Sequence, residues 1–356
     1  MTQFETLIDF IHQTEAQFRI FDMGRRISKL SAENFRKVEL GHIPYPLPFL
    51  HQAWVGVLMW NPKAPAENVV WFLKLPLDEQ GFLVQAARDD FLNRLMQNLI
   101  QNSGKTPLQQ QNDENGPRDA LKDNPFSFTP DQEKMAAFHA TATLTTAQPA
   151  SLYYEHAQQY FSGQHAIDQW ESVGYQGIAD FVIRHQQGNN EALLTRIIPS
   201  LPDLPLEAVC TSVEHIQPGA ELTDAIANRL QQAIGASTAT PNHIGALVRA
   251  ISQGPDEQQK VALLTAVLES DYGIEPEVIA AIASRCWATL QHPELLKPFL
   301  ETLAINKAGQ ASFNRIMADL MFIPTLRALS LQIFRNPERS NALGKAIGGM
   351  FGEGVI

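Results

Sequence analysis

Pro241, Pro255, Pro276, Pro293, Pro324 and Pro337 each stand just ahead of an acidic residue or an apolar stripe. Proline has no amide proton to lose at the first helical position, its φ is already set, and it breaks a helix interior. The last third of the chain is thereby restricted to short amphipathic helices that follow one another. Packed as antiparallel pairs, such helices build a solenoid, which binds more often than it catalyses.

The helical period extends back to residue 130. It predicts helices near 130–144, 149–162, 174–186, 189–199, 204–214, 220–234, 241–253, 256–269, 276–290, 293–304, 308–320, 324–335 and 337–350. Thr129 is the expected cap of the first, with Pro130 at its first position and Asp131 complementing the helix dipole. Leu222, Ile226, Leu230 and Ala233 form one apolar stripe; Val278, Ile282, Cys286 and Leu290 form another; Leu326, Leu329 and Ile333 form a third. Taken in pairs, the helices give units about 31–37 residues apart, close to the periods of helical repeats. With Pro298 inside a helical pattern, residues 189–350 resemble a degenerate HEAT-like array.

The first hundred residues read differently. Phe4, Leu7, Ile8 and Ile11 mark a short helix over 3–13, and Phe82, Ala86, Phe91, Leu95 and Leu99 mark one over 82–100. Between them, Phe18–Met23, Trp54–Trp60 and Val69–Leu75 are rich in aromatic and β-branched residues and predict an antiparallel sheet of at least three strands. Asn61 to Pro65 is the expected hairpin loop, and Ser31 caps a helix to about Val38. The fold class expected is α+β: a small N-terminal antiparallel sheet with flanking helices, then an all-α solenoid-like (HEAT-like) domain. Residues 1–102 form the first, 103–129 a polar linker without apolar period, and 130–356 the helical domain.

The central hairpin is apolar on both faces. Trp54, Gly56, Leu58 and Trp60 alternate with Val55, Val57 and Met59, so something must cover each side. Flanking helices are one solution; dimerisation or a docked partner is the other. Trp54, Trp60 and Trp71 are the expected anchors for the second. Tyr153, Tyr154, Tyr160, Phe161, Trp170 and Tyr175 make the densest aromatic patch, read as core packing or as a peptide groove.

Charge narrows the partners. The net charge of −11 falls unevenly: about −1 over residues 1–100, −2 over 101–150 and −8 over the rest, by ordinary side-chain charges. An acidic helical domain does not suit a phosphate backbone. Arg25, Arg26, Lys29, Arg36 and Lys37 form the one basic cluster, a candidate anion site beside the helix start at Ser31, with Asp22, Glu33 and Glu39 interleaved as ion-pair partners. Asp22 and the Asp89–Asp90 pair are the candidates for acid or base work, but neither has an evident partner.

Hydrolase, nucleotide-loop, zinc and EF-hand signatures are absent, and no cofactor or metal is expected. The histidine pairs His42/His51 and His156/His165 are each nine residues apart, a spacing that reads as surface or capping roles. Cys210 and Cys286 stand alone, as in a reducing compartment, and both fall in predicted helix cores. The first residues lack a signal-peptide pattern and no apolar run is long enough to span a bilayer, so a cytoplasmic protein without membrane insertion is expected. Gly344 and Gly348 near the end permit close approach of another helix or simply mark a frayed end, and a phosphate loop would need a preceding strand.

Two segments, Phe18-Arg19-Ile20-Phe21-Asp22-Met23-Gly24-Arg25-Arg26 and Trp71-Phe72-Leu73-Lys74-Leu75-Pro76-Leu77-Asp78-Glu79-Gln80-Gly81, resemble an uncharacterised gammaproteobacterial family of unknown function. That resemblance implies a bacterial protein of about this length and brings no catalytic or ligand residue. The leading expectation is a non-enzymatic adaptor that binds a protein partner, itself included as a homodimer. The alternative is an enzyme of unknown reaction with its site between the two domains.

Overall fold

The computed structural model describes residues 4–14, 16–101, 121, 124–236 and 238–352. Most of the expected linker, 103–120 with 122 and 123, lies outside them. The chain divides into two compact units, Met1–Pro149 and Ala150–Ile356.

In the first unit, α1 (Leu7–His12) leads into β1 (Gln17–Asp22), β2 (Ser28–Leu30) and α2 (Ala32–Glu39), then the long hairpin β3 (Gln52–Asn61) and β4 (Ala64–Pro76), then α3 (Gln85–Gln101). The strands form one antiparallel sheet in the order β2-β1-β3-β4. The three expected strands are present. The three-residue β2 is additional, too short to show a period. Ser31 caps α2 as expected, its hydroxyl accepting from the Asn34 amide.

Both apolar faces of the sheet are covered by the chain's own helices. α2 packs on β1 and α3 on β4, closing the face that carries Val55, Val57, Leu73 and Trp71. The opposite face is closed by α4 (Gln132–Thr145). Its Phe138 is wholly buried, with its ring 5.5 Å from Phe21 and 5.0 Å from Phe72, both edge-on. Gly56 makes this possible: a Cβ there would stand 3.0 Å from Phe138 Cε2 and 3.1 Å from Met23 Cγ. α4 is thus part of the sheet-bearing unit, not the first helix of the helical region, and the units part at 149/150 rather than near 130. Its cap is Asp131, which accepts from the Lys134 amide, so the helix begins two residues later than Thr129 and Pro130 predict.

A strap precedes α4. The Lys74 amide donates to the Phe126 carbonyl at 2.7 Å and the Phe128 amide to the Phe72 carbonyl at 3.1 Å. Phe126 and Phe128 pin it, packing on Phe91 and on Trp54 with Phe72.

The second unit is helical throughout: α5 (Tyr154–Phe161), α6 (Tyr175–Ile183), α7 (Asn190–Ile197), α8 (Asp203–Val213), α9 (Ala220–Gly235), α10 (Pro241–Ile251), α11 (Glu257–Glu269), α12 (Pro276–Arg285), α13 (Pro293–Ala304), α14 (Gly309–Leu320), α15 (Pro324–Phe334) and α16 (Asn341–Phe351). Pro241, Pro276, Pro293 and Pro324 each occupy the first helical position. Pro255 and Pro337 do not. Asp256 accepts from the Gln258 and Gln259 amides and Ser340 from the Leu343 amide; these side-chain caps set the helix starts further along.

From α5 to α14 each helix packs on the one two places ahead. The even-numbered helices make one layer, and α5, α7, α9, α11, α13 and α15 make the other. Their apolar stripes meet between layers; Leu222, Leu230, Val278, Ile282, Leu290 and Leu326 are all wholly buried. At the end of α8 the Glu214 carboxylate, itself buried, lies 3.0 Å from Arg285 Nε and 3.7 Å from Arg249 Nε, tying three neighbouring even-numbered helices together. Cys210 and Cys286 are both buried thiols, Cys286 Sγ donating to the Val248 carbonyl at 3.7 Å; burial pushes the Cys210 thiol up to about 12, which keeps it protonated. A Cβ on Gly349 would sit 2.7 Å from Gln310 Oε1 on α14, so the glutamine side chain would have to shift to admit one.

Candidate functional site

The predicted basic cluster does not converge. Arg25 is buried, donating from Nε to the Pro48 carbonyl at 3.0 Å with its guanidinium 5.3 Å from the Phe49 ring. Arg26 is buried as well. Lys29 is exposed on β2. Arg36 reaches Asp9 at 2.8 Å and Lys37 reaches Glu33 at 2.7 Å, pairs of the kind foreseen for this stretch although Asp9 was not among the partners named. Arg25, Arg36 and Lys37 are thus each engaged with separate local partners.

What the same stretch does build is a buried polar node. Asp22 ends β1 and is wholly buried, and Tyr45 reaches it from the Pro-rich segment before β3. The Tyr45 hydroxyl lies 2.7 Å from Asp22 Oδ1 and 3.2 Å from the Trp54 carbonyl. One hydroxyl proton cannot serve both acceptors well; a proton on the Asp22 carboxyl lets Asp22 donate to Tyr45 and Tyr45 to Trp54. Asp22 Oδ2 meets no hydrogen-bond partner among the described residues. Burial, outweighing the Tyr45 hydrogen bond, accordingly raises the Asp22 carboxyl to about 7. Lys134 from α4 closes the node by donating to the Met23 and Gly24 carbonyls at 3.0 and 3.1 Å. The turn beside it is strained: Leu50 and His51 both hold left-handed φ, 51° and 60°, in a two-residue hairpin that ordinarily takes Asn-Gly. This turn presents the Phe49 carbonyl to Trp54 Nε1–H at 2.9 Å.

Glu39 is a second buried carboxylate. It accepts from the Leu7 and Ile8 amides at 2.7 and 3.3 Å, capping α1, and burial raises it to about 7 despite those donors. Both carboxyls are thus more basic folded than unfolded. Protons bind the native state more tightly between their ordinary range and about 7, so their contribution is complete below the unfolded pKa and is lost as pH rises through the folded one. The sheet-bearing unit is expected to resist urea better near pH 5 than near pH 8, and Asp22→Asn with Glu39→Gln should flatten that slope. A steeper slope in the double variant would remove both carboxyls as its source.

Of the expected anchors, Trp60 and Trp71 are 5% and 1% exposed and lie on opposite faces of the sheet, under α4 and under the α2–α3 side. They pack the chain's own interior and cannot anchor a partner on an open sheet face. Trp54 is half-buried, edge-on to the Phe128 ring at 4.8 Å. Asp89 and Asp90 pair with Arg88 and Arg94.

The aromatic patch at 153–175 divides. Tyr160 and Phe161 are buried, and Phe161 stacks on Phe181 at 4.8 Å. Tyr154 is half-buried, its hydroxyl accepting from Asn190 Nδ2 at 3.0 Å. The rest faces outward. Leu152 is 83% exposed and Tyr153 52%, with Ile167 and Tyr175 exposed and Trp170 half-exposed. A 3-10 turn, Ile167–Ser172, carries Ile167 and Trp170 and buries no residue at all. It is nevertheless held in place: Tyr160 Oη donates to the Ile167 carbonyl at 2.9 Å, and His156 Nε2 meets Ser172 Oγ at 2.9 Å. His156 also packs on His165, ring centres 5.0 Å apart, bringing together a pair whose sequence spacing gave no sign of it. Tyr153 joins this face to the start of α6, because a Cβ on Gly177 would meet the Tyr153 carbonyl at 2.8 Å. Leu152, Tyr153, Ile167, Trp170 and Tyr175 are therefore outward-facing apolar residues carried on anchored backbone at α5, the 3-10 turn and the start of α6.

Among the described residues no group of His, Cys, Asp and Glu could hold a metal ion, and no helix is long and apolar enough to cross a membrane. The chain belongs to the family described as protein of unknown function (DUF3549), whose model matches residues 2–351. No curated protein and no solved structure matches the chain.

Proposed function

We propose that this chain is a non-enzymatic protein-interaction adaptor of the cytoplasm, whose helical unit supplies the recognition surface. The observation that carries the reading is the α5–α6 surface, where large apolar side chains on fixed backbone stay in water. Apolar clusters of this kind on ordered elements mark interaction sites more often than they occur by chance. The succession of helices in two layers supports a HEAT-like framework, an architecture that presents surfaces to other chains. Dimerisation through the sheet, by contrast, finds no support, because the chain's own helices occupy both faces.

A photo-crosslinking residue placed at Leu152 in the full chain, expressed in the cells that make it, tests this reading. The expected result is a discrete adduct with another polypeptide, or with a second copy, that is missing when the same residue is placed at Ile305, an exposed apolar position elsewhere in the unit. Equal adducts at the two positions, or none at either, would overturn it.

A further inference from the structure

The charge around the α5–α6 surface selects its occupant. Between Ala150 and Tyr175 the chain carries Glu155, Asp168 and Glu171, all exposed, and no lysine or arginine. Two arginines lie by α5: Arg184, buried and paired with Asp180, whose Oδ2 accepts from the Ser151 amide, and Arg196, whose Nη2 donates to the Ser162 carbonyl at 2.9 Å at the end of α5 remote from Tyr153. The exposed Asp, Glu, Lys and Arg side chains of the segment that carries the apolar residues are thus all carboxylates. A second copy docking the same face would bring its own three carboxylates against these, which disfavours self-association here. An acidic helix or a phosphate backbone meets the same repulsion. A segment that pairs apolar anchors with lysines or arginines meets complementary chemistry at both the centre and the rim.

From this complementarity we propose that the face formed by Leu152, Tyr153, Ile167, Trp170 and Tyr175 binds a basic amphipathic helical segment of a partner protein. The inference rests on the adaptor reading and adds the partner's chemistry to it. Leu152 and Tyr153 supply the desolvated centre, and Glu155, Asp168 and Glu171 steer and orient the cationic side chains.

The test uses the full chain and a dye-labelled synthetic amphipathic peptide with a leucine-tryptophan face and a lysine face, read by fluorescence anisotropy at physiological salt. Its glutamate counterpart serves as comparison. The lysine peptide is expected to bind and the glutamate peptide not to. Combined Glu155→Lys, Asp168→Lys and Glu171→Lys should weaken the lysine peptide about tenfold, the sum of three rim pairs. Reversing Glu221, Glu269 and Asp271, exposed elsewhere in the same unit, changes net charge equally and should weaken it less than about twofold. Leu152→Ser with Tyr153→Ser removes exposed side chains only, so the fold survives and binding should vanish. Equal loss in both reversals, equal binding of both peptides, or no binding at all overturns the proposal. A Leu152 crosslink to another polypeptide alongside a failed lysine peptide removes the basic partner and leaves the adaptor reading standing; a crosslink to a second copy of this chain removes the basic partner as well.

Discussion

Phe138→Ala is expected to cost the sheet-bearing unit about 3–5 kcal/mol, the range for truncating a buried phenylalanine that leaves its cavity unfilled. Phe138 is the residue through which α4 is seated: it fills the space over Gly56 between Phe21 and Phe72. Alanine would remove both ring contacts and leave α4 attached mainly by small residues, Ala137 and Ala142 among them. The measurement is urea unfolding followed by tryptophan fluorescence, since Trp54 and Trp60 lie against the same cluster. Retention of the original midpoint would mean that α4 contributes little to holding that face closed, and the burial of Trp60 would need another account.

Arg184→Ala should be comparably severe in the helical unit. Asp180 and Arg184 form an ion pair at 2.5 Å with side chains 1% and 4% exposed. Removing one partner strands a buried charge, which costs about 3–5 kcal/mol, whereas replacing both by apolar residues of like size is often near neutral. Asp180→Leu combined with Arg184→Met is therefore expected to recover most of the loss. It will not recover all of it, because the Ser151 amide and Gln176 Nε2 also donate to Asp180 Oδ2, at 3.2 and 3.1 Å, and would lose their acceptor. Thermal unfolding of the single and double variants settles the matter: a double variant as unstable as Arg184→Ala alone would mean the amide donors, not the ion pair, dominate at Asp180.

The expected helices of the second unit lie within a few residues of those observed, because proline at a helix start and an apolar stripe are both local signals. Where a side-chain cap competed with proline, as Asp256 and Ser340 do, the cap prevailed and the local reading ran early. The strands were legible from alternation, and so was the need to cover both faces. Which elements cover them was not. α4 follows the polar stretch and buries Ala136, Ala137, Phe138, Ala140 and Ala142 over a broad arc, so nothing in its pattern names the sheet as its support. The node at Asp22 was half visible: the aspartate stood out, but its partners Tyr45, Trp54 and Lys134 come from three separate segments that only the fold assembles. For the α5–α6 surface the aromatic density was plain, while the division into buried Tyr160 and Phe161 and outward Tyr153 depends on how the 3-10 turn lies across α5.

The strap at Phe126–Phe128 has a consequence for what can be added to this sheet. β2 ends one side after only three residues, and on the other side the strap occupies the outward hydrogen-bonding groups of β4 at Phe72 and Lys74, while Pro65 and Glu67 occupy its outer half. Neither margin is a long bare template onto which a foreign strand could zip. The sheet is in this sense terminated: with both margins occupied or cut short, it resists edge-to-edge growth through a shared backbone ladder.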